Sequence, residues 1–345
     1  MAHGLAPVEP SALAARLQSI GVSIPAEQLP DLIPTILQTF GHNAGHLHSP
    51  TILRDVILRL LEDRSANTIC DPWAGLGTVL AVAQHATSAQ KSNAFNMNAS
   101  EGKLGSTLFP SADWRIGRPL RLLKELAEPL DIAASILPFG VKANESLELV
   151  NTNGETIQLH DDLGHLILAD ATAHLTEEGI GLFVVSSSFF FSNRSVLSKF
   201  PELGFGVQAA FALPSGSFAP HTSIATYLVV VKKAPIELTF VAQLSNDQNT
   251  NAQILSNFRN GEEGGSVELG RYVEVREFRG IDSLRAGDYL ANASKQIGFP
   301  AVTLEELSTA INLGRYSEDF KFPKAENAIF VPMIGQSNEV DSIES

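Results

Sequence analysis

Thr68-Ile69-Cys70-Asp71-Pro72-Trp73-Ala74-Gly75-Leu76-Gly77-Thr78-Val79-Leu80 is the stretch on which the fold turns. Ile69 and Cys70 are apolar strand residues, and Asp71-Pro72 ends the strand. Gly75 and Gly77 let the backbone turn sharply and approach a ligand with no Cβ in the way. Thr78 to Ala83 then opens an apolar helix whose first amides face the turn. A turn of this kind, at the carboxyl end of a parallel strand, is where an open α/β sheet binds a nucleotide-like ligand. A bare Gly-x-Gly is common in loops. Asp-Pro-x-x-Gly-x-Gly straight after a strand is far more specific, and the missing first glycine of the dinucleotide fingerprint argues against NAD.

Working outward, residues 7–42 have helical spacing, with Ile33, Ile36, Leu37 and Phe40 on one face of a second helix. Ser49 is placed to cap the next helix, with Pro50 at its first position. His42, His46 and His48 lack a carboxylate or cysteine at ligand spacing, so no metal site is expected. Strands are expected near 68, 93, 113, 131 and 180, followed by two apolar strands at 205 and 223. Asn153-Gly154 marks a hairpin between them. Asp161-Asp162 opens an apolar helix running to Leu175. The Asp161/Asp162/His165 trio reads as a helix-capping pair beside a surface histidine. Ser186 to Ser188 lack a G-x-S-x-G elbow, so the following aromatic run reads as packing. Glu237–Leu244 is one more strand, and Arg271–Arg279 is extended. Helices are expected over 249–258, 283–297 and 304–312, with a last strand at Ile329–Gly335.

The glycine turn resembles the S-adenosylmethionine loop of the N-6 adenine-specific DNA methylase family, which includes the modification subunits of type I restriction systems. Leu213-Pro214-x-Gly216-x-Phe218, followed by a Thr-rich strand and Lys232-Lys233, is the second match. The resemblance covers about residues 45–235. It implies a seven-stranded, Rossmann-like methyltransferase sheet, parallel through the strand near 180 and ending in an antiparallel pair at 205 and 223. It also implies a helical cap over residues 1–44 and an α+β extension over 236–345, leading towards a target-recognition domain. The cofactor is then S-adenosyl-L-methionine, held by Ser49, Pro50, Asp71, Pro72, Gly75, Gly77 and Asn96. Asn96 stands where the family has an acidic residue for the ribose hydroxyls, and Arg118 stands near the adenine position. On the fourth strand, Ile136-Leu137-Pro138-Phe139 occupies the place of Asn-Pro-Pro-Phe. Phe139 would stack on a flipped base and Pro138 would position its amine. Ile136 cannot accept a hydrogen bond from that amine.

Composition limits the partners. The chain has 345 residues, 44% of them hydrophobic, which is enough for a substantial core. Its single cysteine, Cys70, excludes a disulfide framework and suits the cytoplasm. No signal peptide or membrane span is apparent. A formal charge of −14 is unfavourable for gripping DNA alone. A specificity or restriction subunit supplies the basic surface, or a local patch does, or DNA is not the ligand. Two functions follow from the residues. One is an adenine-N6 methyltransferase acting on DNA in restriction-modification or phage defence. The other is an inactive methyltransferase-fold subunit used for DNA recognition or assembly.

Overall fold

The structure, a computed structural model, describes residues 9–21, 24–38, 47, 49–190, 196–219, 221–262, 269–274, 333–334 and 340–341. In chain order, helices α1 (Pro10–Ser19), α2 (Leu29–Gln38) and α3 (Thr51–Leu61) lead into strand β1 (Thr68–Asp71) and helix α4 (Thr78–Thr87). Then come β2 (Lys91–Asn96), α5 (Ala99–Leu108), β3 (Asp113–Ile116), α6 (Pro119–Lys124) and β4 (Leu130–Ile136). The hairpin β5 (Leu147–Val150) and β6 (Thr156–Leu159) precedes α7 (Leu163–Ala173) and β7 (Leu175–Ser186). A short helix, α8 (Phe200–Leu203), precedes β8 (Gly206–Ala212) and β9 (Thr226–Lys232). Last come β10 (Leu238–Gln243), α9 (Gln248–Asn260) and β11 (Arg271–Glu274).

Nine of these strands form one sheet in the order β11-β10-β8-β9-β7-β4-β1-β2-β3. Strand β1 is parallel to β2 and to β4, and β4 is parallel to β7. Strand β9 runs antiparallel between β7 and β8. The expected seven strands are therefore present with the expected directions, but the count of seven is corrected to nine. Strand β10 joins β8 in parallel, and β11 closes the edge antiparallel to β10. Fully buried β-branched and aromatic residues drive this edge: Val241 and Phe240 are inaccessible to solvent.

Helices cover both faces, as a mostly parallel sheet requires. One core joins α2, α3, α4 and α9 to the sheet through residues such as Ile33, Leu53, Leu80 and Ile254. The other joins α6, α7, the β5–β6 hairpin and α8 through Leu123, Ile167, Leu147 and Phe200. The strand order reverses between β1 and β4, and the carboxyl ends of these two strands define the crevice that open α/β sheets use for ligands.

Several local expectations change. Pro50 is the N-cap residue of α3 and Thr51 its first residue, with no side-chain cap, because Pro50 takes an extended ψ of 137°. Helix α7 stops at Ala173, so Leu175 belongs to β7. The segment before β8 is a 3-10 turn at Val196–Lys199 followed by α8.

The chain divides into two units, Met1–Lys295 and Gln296–Ser345. In the second, Met333–Ile334 pairs antiparallel with Val340–Asp341. The rest of the strand expected at 329–335, the helices expected at 283–297 and 304–312, and His42, His46 and His48 lie outside the described residues.

Candidate functional site

Strand β1 is buried along its whole length and delivers Asp71 to the switch point at 1% exposure. The Ser135 hydroxyl on β4 donates to Asp71 Oδ1 at 2.6 Å, and the Trp73 amide donates to the same oxygen at 3.0 Å. Burial pushes the Asp71 carboxyl up to about 7, against the lowering effect of those two hydrogen bonds. Burial likewise raises the neighbouring Cys70 thiol, an inert core group.

The turn is fixed by backbone bonds. The Ala74 amide donates to Phe95 O at 2.9 Å and the Gly77 amide to Ala74 O at 2.6 Å. Gly77 is the N-cap of α4 at φ 85°, and a Cβ there would lie 3.0 Å from the Trp114 ring. Glycine is required at this position on both counts. Leu47 packs against Gly75, so the segment before α3 lies on the turn. Ser49 and Pro50 share a cavity of about 230 Å³ with Thr78 and Val79 at the start of α4.

Asn96 ends β2 beside this turn. Its Nδ2 donates to Gly75 O at 2.9 Å, and its Oδ1 accepts from the Asn98 amide at 2.7 Å. Asn98 caps α5: its side-chain oxygen accepts from Ser100 N and Glu101 N at 2.9 and 3.3 Å. Its Nδ2 donates to Glu101 Oε1 at 3.0 Å. Trp73, Gly75, Asn96, Met97, Asn98 and Glu101 enclose a cavity of about 530 Å³. That is the size of a small-molecule site, and its position at the carboxyl edge fits a nucleoside-containing ligand. Glu101, 8% exposed, is the one charged side chain among the cavity's described walls. The spacing Asn98-x-x-Glu101, that of a capping box, is the signal that points to it.

The β4 end is built differently. Ile136 is half-buried in the apolar core, and the Leu137 amide donates to Val184 O at 3.1 Å. The Pro138 carbonyl faces α7 so closely that a Cβ on Gly164 would lie 2.6 Å from it. The half-buried Phe139 ring meets Phe218 edge-to-face, with centroids 5.4 Å apart and planes at 87°. Phe218 comes from the β8–β9 loop, so this contact joins the Ile136–Phe139 segment to the Leu213–Phe218 motif. Ser135, the nearest polar side chain on β4, is already committed to Asp71.

The remaining candidates are accounted for by packing. His165 is buried, not on the surface, and its Nδ1 lies 2.8 Å from Asp161 Oδ1. Asp161 Oδ2 accepts from the Val196 amide at 2.7 Å, and Asp162 makes no side-chain cap. Burial works to raise the Asp161 carboxyl, but the His165 hydrogen bond and charge, with the Val196 and Asp162 amides, hold it below its ordinary value. The pair clamps the turn after β7 onto α7. Phe189 and Phe190 are core residues, and Ser186 and Ser188 hydrogen-bond to each other at 2.7 Å. Arg118 is exposed, 3.9 Å from Glu145. A larger cavity of about 620 Å³ lies between α3 and α9, walled by residues such as Asp55, Arg59 and Gln248. It contains none of the turn's residues and lies away from the switch point. Among the described residues no cluster of His, Cys, Asp and Glu is arranged to hold a metal ion. No described helix is long and apolar enough to cross a membrane.

No protein-family model matches this sequence, and no curated protein matches it. Solved structures do. A chain from a structural study of assembly and conformational transition in a type I restriction-modification system superposes with a TM-score of 0.56 at 15% identity, over 79% of this chain and 66% of that one. A modification subunit assigned to a type I restriction enzyme of Vibrio vulnificus YJ016 gives 0.55 at 16% identity, over 78% and 66%. A protein of Listeria monocytogenes assigned as a class I S-adenosylmethionine-dependent methyltransferase gives 0.55 at 18% identity, over 72% and 81%. The chain thus spans just under two thirds of the length of the first two. At these identities the likeness is one of fold: a methyltransferase sheet of the kind used by S-adenosylmethionine-dependent enzymes, shared with type I modification subunits.

Proposed function

We propose that this protein binds S-adenosylmethionine in the Asp71–Gly77 crevice and serves as a DNA adenine-N6 methyltransferase-like subunit of a cytoplasmic restriction-modification or phage-defence assembly. The observation that carries this reading is the position of the turn. It sits at the switch point between β1 and β4 and opens on a cavity of about 530 Å³ at the start of α5. When bound, the cofactor supplies an electrophilic methyl group. The residues of the chain hold and orient it: the Gly75–Gly77 turn borders the cavity at Gly75, and Asn96 and Asn98 set the cavity wall. Ser49 and Pro50 stand at the other side of the α4 N-terminus. Phe139 and Pro138 would receive the target base.

The basic surface needed for DNA belongs, in this reading, to a specificity or restriction subunit or to a further domain. Among the described residues, Arg54 pairs with Asp31 and Arg115 with Asp113, while Lys91 pairs with Glu128. Arg259 bonds both Glu62 and Asp63. Basic groups neutralised in this way contribute little to phosphate binding.

One observation favours a second reading, a subunit that keeps the fold and the cofactor pocket without transferring a methyl group. Ile136 offers no acceptor to an exocyclic amine, and Phe139 already packs against Phe218. Calorimetry with S-adenosylmethionine tests the pocket. Binding is expected, and Asp71→Ala is expected to weaken it; no binding by the folded protein would remove the cofactor reading. A labelled methyl-transfer assay on mixed genomic DNA separates the two readings. Transfer abolished by Phe139→Ala supports the enzyme, and no transfer despite bound cofactor supports the inactive subunit.

A further inference from the structure

Asn96 occupies the place from which a carboxylate would receive the ribose hydroxyls, yet both ends of its amide are engaged. Nδ2 holds the Gly75 carbonyl and Oδ1 holds the Asn98 amide. Its role is to tie the glycine turn to the start of α5. A vicinal diol is best received by a group with two acceptor oxygens and negative charge. An amide oxygen already accepting a backbone N–H fits that task poorly. One turn further on, Glu101 lies on the same cavity wall. It is nearly buried, and its Oε1 accepts from Asn98 Nδ2 at 3.0 Å, which fixes the carboxylate rather than leaving it to sweep through solvent. It sits in the first turn of a ten-residue helix, where the macrodipole favours its charge.

We infer that Glu101 is the carboxylate that receives the two ribose hydroxyls of the cofactor, with Asn96 and Asn98 as the scaffold that aims it. The acidic function of the β2 end has moved from the strand to the first turn of α5. This inference rests on the cofactor reading above. It makes Glu101 a determinant of ligand specificity: the pocket selects a nucleoside with both hydroxyls over its deoxy counterpart.

The test is a binding cycle on the intact protein, read by calorimetry and by tryptophan fluorescence, since Trp73 lines the same cavity. The ligands are S-adenosylhomocysteine and its 2′-deoxy analogue. The variants are the natural protein and Glu101→Gln, which keeps an acceptor for Asn98 and so keeps the helix cap. In the natural protein, loss of the hydroxyl is expected to weaken binding about tenfold to a hundredfold, the range for a hydrogen bond to a charged group. In Glu101→Gln, S-adenosylhomocysteine is expected to weaken by a similar factor, and the difference between the two ligands is expected to collapse. A purely structural role would weaken both ligands equally and leave their ratio unchanged, which would overturn the inference. So would a natural protein that does not distinguish the two ligands. Both outcomes leave the cofactor reading standing. A natural protein that binds neither ligand removes that reading and the inference with it.

Discussion

The crevice between β1 and β4 has two walls of opposite character. On the β1–β2 wall, polar groups are hydrogen-bonded in two clusters, the second of them on the cavity. Ser135 and Trp73 hold Asp71, and Asn96 links Gly75 to Asn98, which holds Glu101. On the β4 wall, the chain is apolar and closed. Ile136 enters the core, Pro138 abuts Gly164, and Phe139 packs against Phe218. Open polar walls bind small ligands with directional contacts. Closed apolar walls contribute to stability and must rearrange before they admit anything. The contrast lies between a polar wall that borders a cavity and an apolar wall that is packed.

The largest expected effect comes from the polar wall. Asp71 rises from an ordinary 3.8 to about 7 because it is buried. Between those values the folded chain holds a proton that the unfolded chain has released. Stability therefore falls as the pH rises from about 4 to about 7, and the fall is complete above 7. A shift of this size amounts to about 4 kcal/mol. Asp170, pushed up to about 6 by burial against the opposing charges of His174 and Lys124, adds a fall of the same sign that ends earlier. Asp71→Asn keeps an acceptor for Ser135 and Trp73 and removes the titration. Urea unfolding across pH 5–8 is expected to show a flatter profile for this variant and higher stability than the natural protein at pH 8. Parallel profiles would break the account of a buried, proton-holding acid on this wall.

The closed wall yields the next effect. Ile136→Asn restores an acceptor at the end of β4. One such contact is worth about a hundredfold to a thousandfold in rate, by analogy with an oxyanion-hole donor. Because Ile136 is half-buried and at a strand end, the amide has solvent within reach. The expected outcome is a gain of that order in labelled methyl transfer to DNA, with S-adenosylmethionine affinity unchanged. A natural protein that already transfers methyl groups well, with no gain in the variant, would show that the β4 wall is not what limits it.

The two walls also differed in how far the sequence revealed them. The glycine turn was legible because strand, turn and helix are each local signals: a buried run, two glycines and an apolar helix start. Seven strands followed from such runs, and their directions from the family resemblance. The full sheet did not, since the parallel pairing of β10 with β8 joins residues about thirty positions apart and leaves no local pattern. His165 was misjudged because a charged helix start normally faces solvent. Here Phe189 covers the ring, and Asp161 and Val196 close the turn around it. Glu101 was passed over because its capping role is readable at Asn98-x-x-Glu101, whereas its place on the cavity depends on how α5 leaves β2. The Ser135–Asp71 bond joins neighbouring strands that are far apart in the chain, so no local pattern announces it.

The smallest expected effect tests whether the closed wall is truly packed shut. Gly164 lies in the first turn of α7, and a Cβ there would sit 2.6 Å from the Pro138 carbonyl and 3.3 Å from Leu137 Cβ. The nearest of these is backbone, so it cannot swing aside as a side-chain tip would. Gly164→Ala gains helix propensity but forces α7 and the Pro138 segment apart, a form of overpacking that costs about 1–3 kcal/mol. The expected result is a lower urea midpoint with an unchanged m-value. Cofactor affinity should stay the same, because the contact lies on the β4 side and not on the Asn96 network. A variant as stable as the natural protein would mean that the Pro138 segment yields easily. The β4 wall would then be a movable gate for a second substrate, and the contrast between the two walls would be one of conformation rather than of lost function.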